Sequence, residues 1–164
     1  MATDDNAPKT YLGLDDDALQ QNSKNLQTIL ANTLYIQSLY KKYHWHVTGA
    51  SFYPYHLLFD KHAGEQTDII DGVGERLRAI GVTAPGMPED VVKLTTLSEA
   101  KPAEHDPQAM VQNLLEAHEA YIKVVREAIK VTDENNDEAT NDLLVSDILR
   151  VHELQVWFIR SSLA

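Results

Sequence analysis

The fold is decided by residues 40–76, YKKYHWHVTGASFYPYHLLFDKHAGEQTDIIDGVGER. Gly49 suits the position just past a helix end, where a left-handed backbone costs glycine little. Ser51 is a suitable N-cap for a following helix, and Pro54 would lie in that helix's first turn. We therefore predict a helical hairpin with its tip at 48–51, whose antiparallel arms bring His44 and His56 to similar heights.

Two pairs of potential metal ligands lie on the second arm of this hairpin. His56 and Asp60 are four residues apart, and so are Asp71 and Glu75. Side chains four apart share one face of a helix, so each pair can hold one ion. Imidazole and carboxylate ligands without thiolate suit iron, manganese or zinc rather than softer metals.

The two pairs are too far apart to bind the same ion within one chain. At 1.5 Å per residue their centres lie about 22 Å apart along the helix. Either each pair binds separately, or two copies of the helix lie antiparallel across a twofold axis. In the second case His44, His56 and Asp60 of one subunit face Asp71 and Glu75 of the other, which gives two equal sites per dimer.

Each of these residues also has an ordinary structural interpretation. His44 lies in line with the largely apolar face of the first helix, so it could be a hydrogen-bonded core histidine. Asp71 and Glu75 could form a solvated face that pairs with Arg76 and Arg78. The shared register of all five candidate ligands favours the metal site, because separate structural explanations would make that register a coincidence.

The composition of the chain excludes several classes of protein. Its 164 residues suffice for one domain with a core, and 43% hydrophobic residues are ordinary for a globular protein. It has no cysteine, so there is no disulfide, thiol chemistry or cysteine-based zinc site. The beginning, MATDDNAPKT, does not resemble a signal peptide, and no apolar run approaches a membrane span. We expect no membrane association and a cytoplasmic location.

The hydrophobic pattern predicts an all-α fold after an N-terminal arm. We expect a flexible arm over 1–12 and one domain over 13–164, with long helices over about 15–47, 52–80, 107–131 and 138–162. The connection over 82–106 contains a short helical piece and is long enough to run the length of a bundle. The second and third long helices would then be parallel, as in ferritin-like four-helix bundles. His118 is expected to lie in the core or at an interface between subunits, and His152 is expected to take part in packing.

A di-iron site inside a single bundle draws on Glu-x-x-His pairs. None of the seven histidines has glutamate three positions before it. This absence argues against an ordinary site within one bundle and favours the hairpin. The chain also lacks the glycine-rich phosphate loops and the serine elbow motif.

The hairpin resembles the mini-ferritin family known as Dps, the DNA-binding proteins from starved cells. The family pattern has a His-Trp pair, then His-x-x-x-Asp, then Asp-x-x-x-Glu-Arg. Here these positions are His44-Trp45, His56 with Asp60, and Asp71 with Glu75-Arg76. Phe52 and Phe59 also fit, and a weaker likeness extends over the crossover and the last helix to Trp157.

The resemblance implies a hollow shell of twelve identical four-helix subunits. It implies a ferroxidase centre shared across the twofold interface, at which iron(II) is oxidised by hydrogen peroxide in preference to oxygen and stored as a ferric mineral, in protection against oxidative damage. By this resemblance iron is bound by His44, His56 and Asp60 of one subunit and by Asp71 and Glu75 of its neighbour, with zinc a possible substitute. Trp45 is then a candidate catalytic residue that absorbs stray oxidising equivalents, and Asp137 and Asp142 match the negatively charged pores for iron.

The charge of the chain departs from the DNA-binding members of this family. Those members often use lysine-rich terminal arms, whereas this N-terminal arm is acidic and the chain ends SSLA. The formal net charge is −11, which opposes contact with phosphate. A DNA-coating shell with a secondary metal site is the alternative function, and the charge argues against direct DNA binding. His46 points about 200° away from His44 on a helix, so we do not expect it to share that metal.

Overall fold

The computed structural model describes residues 12–103 and 105–163. The arm expected over 1–12 therefore lies, apart from Leu12, outside the described residues. The described residues contain helices and no strand, which confirms the predicted all-α class. Among them, no helix combines the length and the apolar character that a membrane crossing requires.

Four long helical elements and one short helix build the bundle. Their bounds are α1 Asp16–His46, α2 Phe52–Ala79, α3 Pro88–Leu94, α4 Pro107–Glu134, α5 Glu138–Asp142, a π-helical segment Leu143–Leu149, and α6 Arg150–Ser161. The last three follow one another without a break and together form the fourth long helix of the bundle.

The predicted hairpin between α1 and α2 is confirmed. Gly49 has a φ of +88°, the left-handed conformation that favours glycine, and its carbonyl accepts a hydrogen bond from the Phe52 N–H. Ser51 occupies the N-cap position of α2 as predicted, but its hydroxyl makes no capping hydrogen bond. The turn is instead closed through the backbone.

The start of α4 agrees with the sequence prediction. The Asp106 carboxylate accepts hydrogen bonds from the backbone N–H groups of Gln108 and Ala109, and Pro107 occupies the first helical position. The helix runs to Glu134, three residues beyond the predicted end at Val131.

The long crossover is fastened to α1 by Asn32, whose side chain is fully buried. Its carbonyl oxygen accepts from the Thr95 hydroxyl at 2.8 Å and from the Thr96 N–H at 2.9 Å. Its amide also donates to the Thr96 hydroxyl. Since a buried amide is costly unless it is satisfied, these bonds fix where the crossover passes α1. The chain can then return to begin α4 parallel to α2.

The core lies along the bundle axis. Its largest fully buried side chains include Leu26, Ile29, Ile36, Tyr40, Tyr43, Phe59, Leu77, Met110, Leu114, Tyr121, Leu144 and Ile148. Burying a side chain of this size stabilises the fold by roughly 1.5–3 kcal/mol. This packing holds α1 and α2 as a rigid support for the residues at the hairpin tip.

The sequence predicted one regular helix over 138–162, whereas the structure inserts π-helical turns at Leu143–Leu149. Thr140, Leu144, Ile148 and His152 are all buried and are spaced by four residues. On a regular α-helix each step of four advances about 40°, so three steps would turn His152 about 120° away from Thr140. The wider π turns remove this drift, and His152 therefore points into the bundle.

Candidate metal centre

The two histidines at the hairpin tip are held by each other's backbone. His44 Nδ1 lies 2.9 Å from the His56 carbonyl oxygen, and His56 Nδ1 lies 2.9 Å from the His44 carbonyl oxygen. The two imidazole rings stack with their centroids 3.8 Å apart. This reciprocal arrangement follows from the antiparallel hairpin, which brings the end of α1 beside the first turns of α2.

These hydrogen bonds fix the tautomer of both rings. A carbonyl oxygen only accepts, so each Nδ1 carries the proton and donates it. In a neutral ring with this tautomer Nε2 has a lone pair, which is the form of histidine that binds metal. The geometry therefore presents two oriented Nε2 ligands side by side.

Asp60 completes this group on the next turn of α2. One of its carboxylate oxygens lies 3.9 Å from His44 Nε2 and 2.9 Å from Lys41 Nζ. The hydrogen bond from Lys41 is the main cause that lowers the pKa of Asp60. The carboxylate is thus ionised at neutral pH, and a lysine ammonium occupies it in the metal-free chain.

Asp71 and Glu75 lie farther along α2 and are both exposed. The structure gives neither of them a hydrogen bond or ion pair with another described residue. The sequence suggested Arg76 and Arg78 as partners of these two carboxylates, but both arginines make other contacts. Arg76 binds Asp137 at 2.7 Å, and Arg78 donates to the Val82 carbonyl.

The structure brings three of the five candidate ligands together and leaves the other two apart. His44, His56 and Asp60 meet at the hairpin tip, whereas Asp71 and Glu75 lie about 22 Å away along α2. Within the described part of the chain, no group of three or more histidine, cysteine, aspartate or glutamate side chains has the geometry to hold a metal ion. One chain therefore presents two incomplete sets of ligands.

Trp45 and His46, the two residues that follow His44, are exposed in the single chain. Trp45 is 68% exposed in the single chain, so its indole does not pack into the subunit core. His46 is also exposed, and its Nδ1 donates to the Lys42 carbonyl at 2.7 Å. This agrees with the expectation that His46 does not share a metal with His44.

The two acidic residues predicted to line a pore have different environments. Asp137 is 3% exposed, caps α5 and binds Arg76, Thr140 and Asn22. Burial would raise the pKa of Asp137, but the hydrogen bonds from Thr140 and the charge of Arg76 lower it. These contacts of the Asp137 carboxylate stabilise the fold.

Asp142, in contrast, is exposed and accepts a hydrogen bond from Ser146. It lines a surface cavity together with Asp133, Asp137 and Glu138. Of the two predicted pore residues, Asp142 is therefore the one whose carboxylate faces solvent in the single chain.

The sequence analysis missed a chain of buried polar side chains in the middle of the bundle. The Tyr40 hydroxyl lies 2.6 Å from His118 Nε2 and 3.0 Å from His62 Nδ1, and His118 Nδ1 lies 2.8 Å from His152 Nδ1. All four side chains have no exposed surface. Because they come from α1, α2, α4 and α6, no spacing in the sequence reveals that they meet.

Burial keeps these three histidines neutral. It lowers the pKa of His62 to about 4 and that of His152 to about 3, and it holds the pKa of His118 well below its usual range. A neutral imidazole can be buried without the free-energy cost of burying a charge, and it can both donate and accept a hydrogen bond. Of the two places expected for His118, the structure shows the core, and the expectation that His152 takes part in packing is confirmed.

Comparison with known proteins now defines the class and then the family. Residues 23–164 match the family model described as a ferritin-like domain. Among solved structures, DpsC from Streptomyces coelicolor is 41% identical, covers 96% of this chain and 92% of its own, and superposes with a TM-score of 0.92.

Two further relatives support the same family. Dps from Vibrio cholerae O1, described as a member of a broad superfamily of ferritin-like diiron-carboxylate proteins, is 25% identical with a TM-score of 0.87, over 97% of this chain and 99% of that one. DNA protection during starvation protein 1 of Deinococcus radiodurans is 29% identical over 87% of this chain and 69% of its own length. The chain belongs to the Dps family of mini-ferritins. This membership supports a homo-oligomeric shell and a general role in iron storage and protection under stress.

Proposed function

We propose that this protein is a ferroxidase and iron store whose oxidation sites are shared between twofold-related subunits. His44, His56 and Asp60 of one subunit bind iron(II) together with Asp71 and Glu75 of the partner subunit. The ferric product is stored in the cavity of a shell of twelve subunits. The observation that carries the proposal is the pair of oriented Nε2 atoms for which the single chain supplies too few neighbouring ligands.

The ligand set suits a change in the charge of iron. Imidazole binds iron(II) well, and three anionic carboxylates stabilise the additional positive charge of iron(III). Carboxylates therefore favour the oxidised product over the reactant. We propose hydrogen peroxide as the preferred oxidant, since one peroxide accepts two electrons from two iron(II) ions and is reduced to water.

Three further assignments belong to this proposal. Zinc accepts the same imidazole and carboxylate ligands without redox chemistry, so it should compete with iron(II) for the site. Trp45, next to His44, is proposed to take up stray oxidising equivalents. Asp142, with its exposed carboxylate, is proposed to line a passage for iron(II) between subunits, and Asp137 supports it by capping α5.

The first test compares iron(II) oxidation by peroxide and by air in the wild type, Asp71→Ala and Asp68→Ala. Asp68 is an exposed acidic residue one turn before Asp71 on α2 and is not a proposed ligand. Ferric absorbance should rise rapidly with peroxide in the wild type and in Asp68→Ala, and much more slowly in Asp71→Ala. Equal rates in the two variants would remove Asp71 from the site.

Sharing between subunits is tested by mixing two inactive variants. A His44→Ala subunit paired with an Asp71→Ala subunit forms one site without defects and one site with both defects. Random co-assembly of equal amounts should therefore restore about a quarter of the sites. Sites built within single subunits would give no recovery, and that result would contradict the proposal.

Coating of DNA is a second function suggested by the names of relatives, but the charge of this chain does not favour it. The formal net charge is −11, and binding to DNA depends on neutralising phosphates with lysine and arginine. A gel-shift experiment at low salt should show no retarded DNA. Retardation that weakens as salt is added would indicate direct binding.

A further inference from the structure

The buried chain of Tyr40, His118 and His152 takes no part in the proposed iron site. The Tyr40 hydroxyl is 2.6 Å from His118 Nε2, and His118 Nδ1 is 2.8 Å from His152 Nδ1. His62 Nδ1 lies on the other side of the hydroxyl at the longer distance of 3.0 Å. The short contact makes His118 the closer acceptor for the phenolic proton.

Two proton arrangements satisfy these contacts, and the shorter distance to His118 Nε2 favours the one in which Tyr40 donates to His118 rather than to His62. Burial raises the pKa of Tyr40 and lowers the pKa of His118 and of His152, so all three groups are neutral. When Tyr40 donates to His118 Nε2, the His118 proton must be on Nδ1, where it is donated to His152 Nδ1. His152 then carries its own proton on Nε2. The phenol is thus connected to two bases in series.

Tyr40 also lies close to the proposed iron ligands. It precedes His44 by one helical turn on α1, and neighbours at that spacing have Cβ atoms about 5–6 Å apart. Its ring lies 6.2 Å from the ring of Phe59, which directly precedes Asp60. The contact from the Tyr40 ring towards these ligands is the aromatic one with Phe59. An electron can cross such a gap, while the proton has its own route towards His118.

We infer that Tyr40 is a one-electron donor to the iron site, and that His118 takes its proton when the electron leaves. This inference rests on the proposed ferroxidase function. It concerns the situation in which a site holds a single iron(II), so that peroxide, a two-electron oxidant, meets only one electron from iron. Tyr40 supplies the second electron, and no hydroxyl radical is released.

The electrons and protons balance in two steps. In the first, one iron(II), one peroxide, the Tyr40 phenol and two solvent protons give one iron(III), two waters and the neutral Tyr40 phenoxyl radical, with the phenolic proton held on His118 and the peroxide O–O bond broken. In the second, a newly bound iron(II) reduces the radical, and the proton on His118 returns to Tyr40. The sum is the oxidation of two iron(II) ions by one peroxide.

The environments of two other aromatic residues explain why Tyr40 is singled out. Tyr121 is equally buried, but its hydroxyl pairs with the Thr33 hydroxyl at 2.8 Å, which is a poor base. Trp45 is 68% exposed in the single chain, so a radical on it would face solvent unless a neighbouring subunit covers it. Tyr40 combines complete burial with an imidazole acceptor.

The test is freeze-quench electron paramagnetic resonance on the assembled protein, given less than one iron(II) per site and then peroxide. The wild type should show an organic radical whose spectrum narrows when the protein contains ring-deuterated tyrosine. Tyr40→Phe should lose this signal and release several-fold more hydroxyl radical to a spin trap. Tyr121→Phe should keep the signal.

A second variant, His118→Gln, tests the inference independently in case Tyr40→Phe does not fold. His118→Gln keeps a hydrogen-bonding side chain at the same place but removes the base, so the tyrosyl signal should fall several-fold. Oxidation at saturating iron(II) is measured in the same samples. A wild type that oxidises iron(II) without forming a tyrosyl radical, or a Tyr40→Phe shell with an unchanged radical, would overturn the inference. A wild type that fails to oxidise iron(II) with peroxide would overturn the proposed function itself.

Discussion

Two groups of histidines in this molecule differ in what their second ring nitrogen meets. At the hairpin tip, His44 and His56 each give one nitrogen to a backbone carbonyl and leave Nε2 free beside Asp60. In the bundle core, His118 gives both of its nitrogens to other side chains. The same residue type therefore offers a metal ligand in one place and a fixed hydrogen-bond connection in the other.

Burial alone does not separate the two groups, because the His44 side chain is only 14% exposed. What separates them is the partner. A carbonyl oxygen accepts a hydrogen bond but cannot donate one, so it fixes one tautomer of the ring. Tyr40 and His152, in contrast, can both donate and accept. The first arrangement orients a ligand, and the second provides a path for a proton.

The largest effect is expected when the core chain is broken. His118→Ala removes a buried ring and leaves Tyr40 and His152 each without one partner. Loss of packing and of two hydrogen bonds should cost about 3–5 kcal/mol in the free energy of unfolding. Thermal and urea unfolding measure this cost. His46→Ala, at an exposed position, should change stability by less than about 0.5 kcal/mol. Similar values for both variants would show that the core chain does not stabilise the bundle.

Removal of a histidine at the hairpin tip should slow iron(II) oxidation but leave the protein folded. His56→Ala deletes an oriented Nε2 ligand, and iron(II) oxidation by peroxide should slow by about 100-fold, at the upper end of what a disturbed metal site loses. Because the side chain is only partly buried, the fold should persist. Stopped-flow absorbance measures the rate, with His46→Ala again as the matched control. An equal slowing in both variants would contradict the assignment of the site.

Acid should weaken the core of the bundle. The pKa of His152 is about 3 in the folded chain, against an ordinary value of 6.5, and that of His118 is also lowered. Between these values the unfolded chain binds more protons than the folded chain, so stability falls as pH falls from about 6.5. His152 faces His118 and His62 and contributes on the order of 2 kcal/mol of this loss by pH 5.

The pH dependence is measured as the unfolding midpoint from pH 7.5 to 5. His152→Gln removes one of the titrating groups, so its midpoint should depend less on pH in this range. A wild-type midpoint that stays constant over the range would mean that the core histidines are not kept neutral.

The smallest effect is expected at Lys41, which occupies Asp60 in the metal-free chain. Iron(II) must displace this ammonium to bind the carboxylate. Because exposed ion pairs are weak, Lys41→Met should tighten iron(II) binding only about two- to five-fold. Isothermal titration without oxidant measures the affinity, and Lys42→Met, at the exposed neighbour, provides the control. Weaker binding in Lys41→Met than in Lys42→Met would show that Lys41 assists the metal.

The sequence was sufficient for those features that depend on local spacing. The hairpin at Gly49 and the cap at Asp106 each involve residues a few positions apart, and the structure has both. The membership of the Dps family, predicted from the ligand pattern, is confirmed by the comparisons.

Features that depend on contacts between distant helices were not predictable in this way. The π-helical turns at Leu143–Leu149 carry no proline or glycine that would mark them, and His152, which follows them, is buried in the core. Ser51 satisfies the usual preference for a cap, but the turn is closed by the backbone instead. The link from Tyr40 to His118 spans 78 positions, and only the packing of the bundle brings the two together.

The distance between the two ligand pairs along α2 has a consequence for the life of the protein in the cell. In the proposed arrangement a newly synthesised chain cannot perform the chemistry by itself, since it lacks half of every pocket. Oxidising activity thus begins only after two subunits have paired, which is a step towards the enclosed volume that receives an insoluble product. The length of one helix would in this way prevent precipitation on single subunits.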